Sequence, residues 1–239
     1  DAAPLRFAAQ VKRKPLGVCL TKVSQIKIEV SKSHMFIEFD GNDLLIGIGI
    51  LCVLLPVLWW QKRSLSYLLF FSIFWFYLLV VVAVIIFPIA IDIDYTDTVF
   101  KPSINLIPFY FGSCFMLVNL CVRSIIENVV LTIPFGFGIN FLFRIKSKYV
   151  FWLAFTVGFI FEFSQLVISL MFRSGFRATD INDVILNGIG VLVGHALFRL
   201  FAWLYLKITE YFNFKHKLIF ADIYEVALQT QAAGRSKNA

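Results

Sequence analysis

Residues 65–91, LSYLLFFSIFWFYLLVVVAVIIFPIAI, form an apolar run that contains no charged side chain. A helix needs about 20 consecutive apolar residues to cross the hydrocarbon core of a bilayer. This run exceeds that length, so a spanning helix built from it is expected to be tilted. Runs of the same character lie on both sides of it. We therefore predict four further spans, at residues 44–60, 125–143, 149–171 and 181–206.

The composition of the whole chain agrees with residence in a membrane. Of the 239 residues, 59% are hydrophobic and 15% are charged, whereas soluble domains are about 25% charged. The net charge of +7 does not indicate nucleic-acid binding, because Lys and Arg lie in tails and short loops between apolar runs, as in membrane proteins. The sequence predicts an all-α integral membrane protein with about five transmembrane helices, whose partner is the lipid bilayer.

The apolar runs separate two polar ends from a membrane domain. The three expected regions are residues 1–43, residues 44–206 and the tail at 207–239. In the first region, residues 25–30 alternate between apolar and polar side chains and residues 35–39 nearly do, which predicts a short N-terminal β-hairpin. The last stretch, residues 227–239, is low in aromatic residues and is expected to be disordered.

The charges of the loops predict the orientation. The loops at residues 61–64 and 144–148 are short and basic, which places both in the cytoplasm together with the C-terminal tail. The acidic loop at residues 92–97 then lies outside, and so does the N-terminal segment in spite of its basic residues. Residues 109–122 could form a sixth, short span that returns the N-terminal segment to the cytoplasm, but they are too few to cross a bilayer unaided, so an interfacial or re-entrant helix is expected there.

The four cysteines carry no signature of a metal site. They form no C-x-x-C pair and have no histidine at the spacing of a zinc site. The residues are Cys19, Cys52, Cys114 and Cys121. Those in apolar runs are interpreted as small buried hydrophobic side chains.

Polar residues enter the last three spans in a regular pattern. Ionisable groups inside a membrane are costly, so they usually face the interior of a bundle and indicate function. Each of these helices carries its polar or small residues along one face: Asn128 and Thr132; Gly158, Glu162, Gln165 and Ser169; Asp180, Asp183, Asn187 and Gly194. Since three helices bring polar stripes to the same depth, we predict a polar pocket open to the outer face.

Structural explanations compete with the functional one. A helix cap and interhelical hydrogen bonds would explain Asp180, Asn128 and Gln165. Glu162 is harder to explain in this way, because it lies well inside the predicted hydrocarbon layer. A carboxylate there is either protonated or paired with Arg173 or Arg177 of the neighbouring loop.

Four segments of the chain resemble the VanZ-like family, in the family's order. They are NLIPF at residues 105–109, NVVLTIPFG at residues 128–136, the E-x-x-Q pair Glu162 and Gln165, and RATDINDVILNGIG at residues 177–190. Thr132 stands where the family usually has a bulky apolar residue. The resemblance covers about residues 70–205, and the helix at 44–60 is an addition to the family core.

The resemblance implies a bacterial plasma-membrane protein of the cell envelope. The founding member of the family is associated with low-level resistance to the glycopeptide teicoplanin, which makes antibiotic resistance an expectation for this chain. Neither a reaction nor a cofactor is implied by the resemblance. Its motifs add Asn105 and Arg177 to the polar residues already singled out.

Three functions fit these residues. The first is binding of a cell-wall precursor, a lipid headgroup or a glycopeptide, with Arg177 gripping an anionic group. Its expected site comprises Asn105, Asn128, Glu162, Gln165, Arg177, Asp180, Asp183 and Asn187. The second is a membrane-embedded enzyme in which Glu162 is a general acid or base, and in which Asp180 and Asp183 hold a divalent cation or a second proton. The third is a small transporter, which the lack of an inverted repeat disfavours.

Overall fold

The computed structural model describes residues 34–92, 101–111, 118–143, 145–173, 178–213 and 217–235. Within them, five helices are long and apolar enough to cross a membrane. These are α1 (Gly41–Trp60), α2 (Leu65–Ile85), α3 (Val118–Leu142), α4 (Ser147–Phe172) and α5 (Ile181–Tyr211). The prediction of a helical protein with about five spans is confirmed, and the chain is a multi-pass membrane protein in contact with lipid.

The second span ends earlier than predicted. Helix α2 stops at Ile85, and residues Ile89–Asp92 form the strand β2 instead of the last helical turn. The physical reason is Pro88, which cannot donate a backbone hydrogen bond and disfavours helical dihedral angles at Phe87. Apolar content alone therefore overestimated the length of this helix.

A short antiparallel strand pair lies near the N terminus, as predicted, but its partners differ from the expected ones. Strand β1 (His34–Ile37) pairs with β2, with His34 opposite Asp92 and Ile37 opposite Ile89. The predicted first strand, residues 25–30, lies outside the described residues. Helices α1 and α2 run antiparallel, so the chain entering α1 meets the chain leaving α2 at the same end of the bundle.

A second strand pair ties the loop before α3 to the start of α5. Strand β3 (Ile104–Asn105) lies parallel to β4 (Thr179–Asp180). The predicted interfacial helix is not found in the described part of this loop, because residues 109–111 are not helical and residues 118–122 belong to α3. We call this end of the bundle, at which α3 and α5 begin, the strand end.

Helix α5 lies at the centre of the bundle, between α3 and α4. Its Val191 and Ala202 are fully buried. A Cβ atom added to Gly136 of α3 would overlap the carbonyl oxygen of Val191, and one added to Gly158 of α4 would overlap that of Val184. Glycine is therefore required where these helices touch, because the two backbones approach more closely than any side chain allows.

A sixth helix, α6 (Ile219–Arg235), packs against the opposite end of the bundle, which we call the α6 end. The hydroxyl of Tyr205 on α5 donates to the carbonyl of Phe220, and Ala227 is buried. The prediction of disorder over residues 227–239 is therefore wrong for residues 227–235, while residues 236–239 lie outside the described part of the chain. The low content of aromatic residues was a poor guide to disorder here, because the apolar residues of this segment recur at helical spacing.

Candidate functional site

A polar cavity of about 310 Å³ lies at the strand end of the bundle. It is enclosed by the loop before α3, the first turns of α3 and the first turns of α5. The lining residues that matter below are Asn105, Tyr110, Phe111, Cys121, Asp180, Asn182 and Asp183. The loop before α3 therefore borders this cavity.

Asn105 joins the loop to the start of α5. It lies on β3 directly opposite Asp180 of β4. Its side-chain amide donates to the Oδ1 atom of Asp180 and to the carbonyl of Tyr110, both at 3.0 Å. Its side-chain oxygen accepts the N–H of Ile107 at 3.1 Å. Both donor hydrogens of the amide are thus used to hold the cavity wall together.

Asp180 both caps α5 and lines the cavity. Through Oδ1 it accepts the N–H of Asn182 at 2.8 Å, which makes it the N-cap of α5. It also lines the cavity. The prediction that Asp180 caps α5 is confirmed, and its role in a binding site stays a prediction; capping occupies one carboxylate oxygen. Within the described residues, nothing is hydrogen-bonded to the other oxygen.

Asp183 connects α5 to α3. The side-chain amide of Asn128 donates to the Oδ1 atom of Asp183 at 2.6 Å. One turn deeper, the hydroxyl of Thr132 donates to the backbone carbonyl of Asn187 at 2.8 Å. The polar stripes predicted on these two helices therefore meet. The side-chain oxygen of Asn187 is buried and has no hydrogen-bond partner among the described residues.

Glu162 supports the cavity wall from behind. It is only 3% exposed, and its Oε2 atom accepts the backbone N–H of Asp180 at 2.9 Å. It is absent from the residues that line the cavity. Its position fixes the start of α5 against α4, while Gln165 lies half-exposed further along α4. Arg177 lies outside the described residues.

Sequence reasoning did not single out Asn182. This residue is buried on the first turn of α5. Its side-chain oxygen accepts the N–H of Phe109 at 2.6 Å, and its amide donates to the carbonyl of Tyr110 at 2.9 Å. It lies one position before Asp183, about 100° away around the helix, so the predicted polar stripe did not include it. The available signal was local: an amide two residues after a helix cap is well placed to bind a neighbouring loop.

A disulfide also lies at the cavity. Cys121, on the first turn of α3, is disulfide-bonded, whereas Cys52 on α1 is a free thiol. The interpretation of the cysteines as small buried hydrophobic side chains is therefore wrong for Cys121, and Cys52 is exposed rather than buried.

The polar groups that remain available in the cavity are hydrogen-bond acceptors. The amide of Asn105 donates to Asp180 and to the carbonyl of Tyr110, and the amide of Asn182 donates to the same carbonyl. Each of the two aspartates keeps an oxygen to which no described residue is hydrogen-bonded. Such a surface binds hydroxyl or ammonium groups. Within the described residues, no group of three or more His, Cys, Asp or Glu side chains is arranged to hold a metal ion.

Comparison with known proteins identifies the family. A family model described as VanZ/LLP1 matches residues 74–202. The chain belongs to the VanZ-like family. Over 130 residues it is 31% identical to "Protein VanZ" of Enterococcus faecium, a match that covers 52% of this chain and 70% of that protein. No solved structure matches the chain.

The VanZ-like region contains the whole cavity at the strand end. Asn105 and the polar residues of α3, α4 and α5 all fall inside residues 74–202. Strand β1, helix α1 and helix α6 lie outside it. The resemblance drawn from the motifs is confirmed, and so is the position of α1 outside the family core.

Proposed function

We propose that the cavity at the strand end binds the polar headgroup of a lipid or of a lipid-linked cell-wall precursor at the outer face of the bacterial plasma membrane. One observation carries the proposal: Asp180 and Asp183 both line a 310 Å³ cavity, and each keeps a carboxylate oxygen to which no described residue is hydrogen-bonded. Carboxylate oxygens in such a site select hydroxyl or ammonium groups, which sugar and peptide headgroups supply.

Two observations support the outer location. The short basic loops between α1 and α2 and between α3 and α4 both lie at the α6 end, where the positive-inside rule puts the cytoplasm. Cys121 at the strand end is disulfide-bonded, and disulfides persist in oxidising compartments outside the cytoplasm. In this orientation, α6 and the C terminus are cytoplasmic.

The VanZ-like family adds a candidate ligand. Its association with teicoplanin resistance makes a glycopeptide, which carries both sugar hydroxyls and an amine, a second molecule for the same site. Retention of the antibiotic at the cavity, or protection of a precursor from it, would each lower its effect on the cell.

The proposal is tested with the full chain in detergent, by measuring the affinity for a lipid-linked disaccharide-pentapeptide and for teicoplanin in separate titrations. Asp183→Asn and Asp180→Asn are each expected to weaken binding about tenfold, because each replaces a charge-assisted hydrogen bond. Asparagine is also a good N-cap, so Asp180→Asn is expected to keep the fold.

The matched control is Glu127→Gln. This change also removes one carboxylate from the strand end, but Glu127 is exposed, pairs with Arg123 and does not line the cavity. Equal affinities for wild type, both aspartate variants and the control would refute the proposal.

An enzymatic function is the second candidate, since two carboxylates share one cavity. Catalysis would appear as turnover of the lipid-linked substrate that disappears in Asp183→Asn. Glu162 supports the wall rather than lining it, so Glu162→Gln is expected to change the stability of the fold more than any rate. Turnover that is abolished by Glu162→Gln in a folded protein would instead return Glu162 to the role of general acid or base.

A further inference from the structure

A larger cavity, of about 650 Å³, lies at the α6 end of the bundle. It is bounded by the first turn of α2, the last turn of α3 and one face of α6. The lining residues that carry the argument are Arg63, Tyr67, Phe70, Asn140, Asp222 and Glu225. The volume falls in the range of about 300–1,000 Å³ that is usual for small-molecule sites.

The cavity holds charges of both signs that do not neutralise one another. The guanidinium of Arg63 lies over the ring of Tyr67, 5.0 Å from its centroid, and within the described residues it forms no salt bridge. Asp222, which also lines the cavity, accepts a hydrogen bond from the hydroxyl of Ser64 at 3.2 Å through Oδ2. No described residue is hydrogen-bonded to its Oδ1 atom. One cation and one carboxylate therefore remain available to a ligand.

Part of the cavity lining is aromatic. Phe70 of α2 and Phe141 of α3 both line the cavity and stack with their ring centroids 4.5 Å apart. Leu142 and Phe143 continue this wall. Since α2 begins and α3 ends here, the cavity lies at the depth where lipid headgroups meet the hydrocarbon layer, and its apolar side suits the glycerol and acyl portion of a lipid.

We propose that this cavity binds a zwitterionic phospholipid headgroup that carries a phosphate and a primary ammonium, as in phosphatidylethanolamine. The phosphate lies on the planar fork of Arg63, and the ammonium donates to Asp222, with Glu225 adding negative charge beside it. Two carboxylates against one arginine disfavour a headgroup with net negative charge. A quaternary ammonium has no N–H group to donate, so phosphatidylcholine loses the hydrogen bonds to the carboxylate.

The site is a feature of this chain beyond the VanZ-like core. Arg63, Asp222 and Glu225 all lie outside the matched residues 74–202. The proposal is also independent of the one made for the strand end, because the two cavities share no lining residue. Failure of either proposal leaves the other untouched.

The test uses the full chain, stripped of lipid in detergent and then titrated with phosphatidylethanolamine, phosphatidylcholine or phosphatidylglycerol, with bound lipid counted by native mass spectrometry. We expect phosphatidylethanolamine to bind about tenfold more tightly than the other two lipids, because it alone satisfies both charged walls. Equal binding of the three lipids by the wild type would overturn the proposal.

Two variants locate the contacts. Arg63→Gln and Asp222→Asn are each expected to abolish the preference for phosphatidylethanolamine. Lys62→Gln, a charge change in the same loop at an exposed residue that does not line the cavity, is expected to keep it. The side chain of Arg63 is exposed and makes no hydrogen bond within the described chain, so Arg63→Gln tests binding without endangering the fold. A preference that survives in this variant contradicts the assignment.

A competition experiment with soluble O-phosphoethanolamine distinguishes a lipid ligand from a soluble molecule with the same headgroup. Weak displacement, at concentrations far above those of the lipid, supports a lipid ligand, because the aromatic wall then contributes to affinity. Binding of the soluble compound as tight as that of the lipid would overturn the lipid assignment and indicate a small cytoplasmic zwitterion.

Discussion

Helices α1 and α5 are both long and apolar, yet they have opposite positions in the molecule. In the most apolar stretch of α5, 44% of the residues are buried, against 11% in α1. Helix α5 is held by glycine contacts and by the polar pairs of the cavity, whereas α1 presents most of its surface to lipid. Hydropathy alone does not separate the two, and the difference lies in where glycine and polar residues interrupt the apolar sequence.

The largest expected effect comes from closing the gap between α3 and α5. A Cβ atom at Gly190 would overlap the hydroxyl of Thr132 and the carbonyl of Val129. We expect Gly190→Ala to destabilise the protein by about 3 kcal/mol, the upper end of the usual range for overpacking. The measurement is the thermal midpoint in detergent.

Gly49→Ala in α1 is the matched control, because a Cβ atom there meets nothing within 4 Å. Alanine is also the better helix former, so this variant is expected to be at least as stable as the wild type. A comparable loss in the two variants would show that α1 is packed as tightly as α5.

A smaller effect is expected from the polar contact between α3 and α5. Asn128→Ala removes the donor to Asp183 and is expected to destabilise the fold by about 1 to 2 kcal/mol, the range for interhelical hydrogen bonds in membranes. A double-mutant cycle with Asp183→Ala isolates the pair. Additive losses would mean that the two side chains do not interact in the membrane.

The sequence predicted those features that depend on periodicity within a helix. Length and hydropathy located the spans, and the spacing of Asn128, Asp183 and Asn187 placed them on faces that the structure brings together. The contacts that the sequence could not predict depend on the paths of loops. The pairing of β1 with β2 and the contacts of Asn182 with the loop before α3 each join segments that no periodicity relates.

The next largest loss of stability is expected from weakening the contact between α5 and α6. Tyr205→Phe removes the hydroxyl that donates to the carbonyl of Phe220 at 3.1 Å. We expect a loss of about 1 kcal/mol or less and faster amide hydrogen exchange throughout α6. The control is Tyr211→Phe, at a tyrosine of α5 that is 84% exposed. This change is expected to leave the exchange of α6 unchanged. Faster exchange in both variants would argue against a specific contact.

The smallest effect is expected where α1 begins. The carboxylate of Asp40 accepts the backbone N–H groups of Asn42 and Asp43 at 2.8 and 3.1 Å. These bonds favour the ionised form, so they hold the pKa of Asp40 below its usual value. A lowered pKa in the folded state means that the stabilisation is present above the ordinary pKa of aspartate and is lost as the pH falls through the lowered value.

Acidification therefore weakens the start of α1, and because Asp40 is fully exposed the change in the thermal midpoint is expected to be no more than about 1 to 2 °C. Asp40→Asn keeps an N-cap side chain but cannot titrate. It is expected to remove this part of the acid dependence while leaving the midpoint at neutral pH nearly unchanged. An identical acid response in wild type and variant would show that the cap does not contribute to the stability of α1.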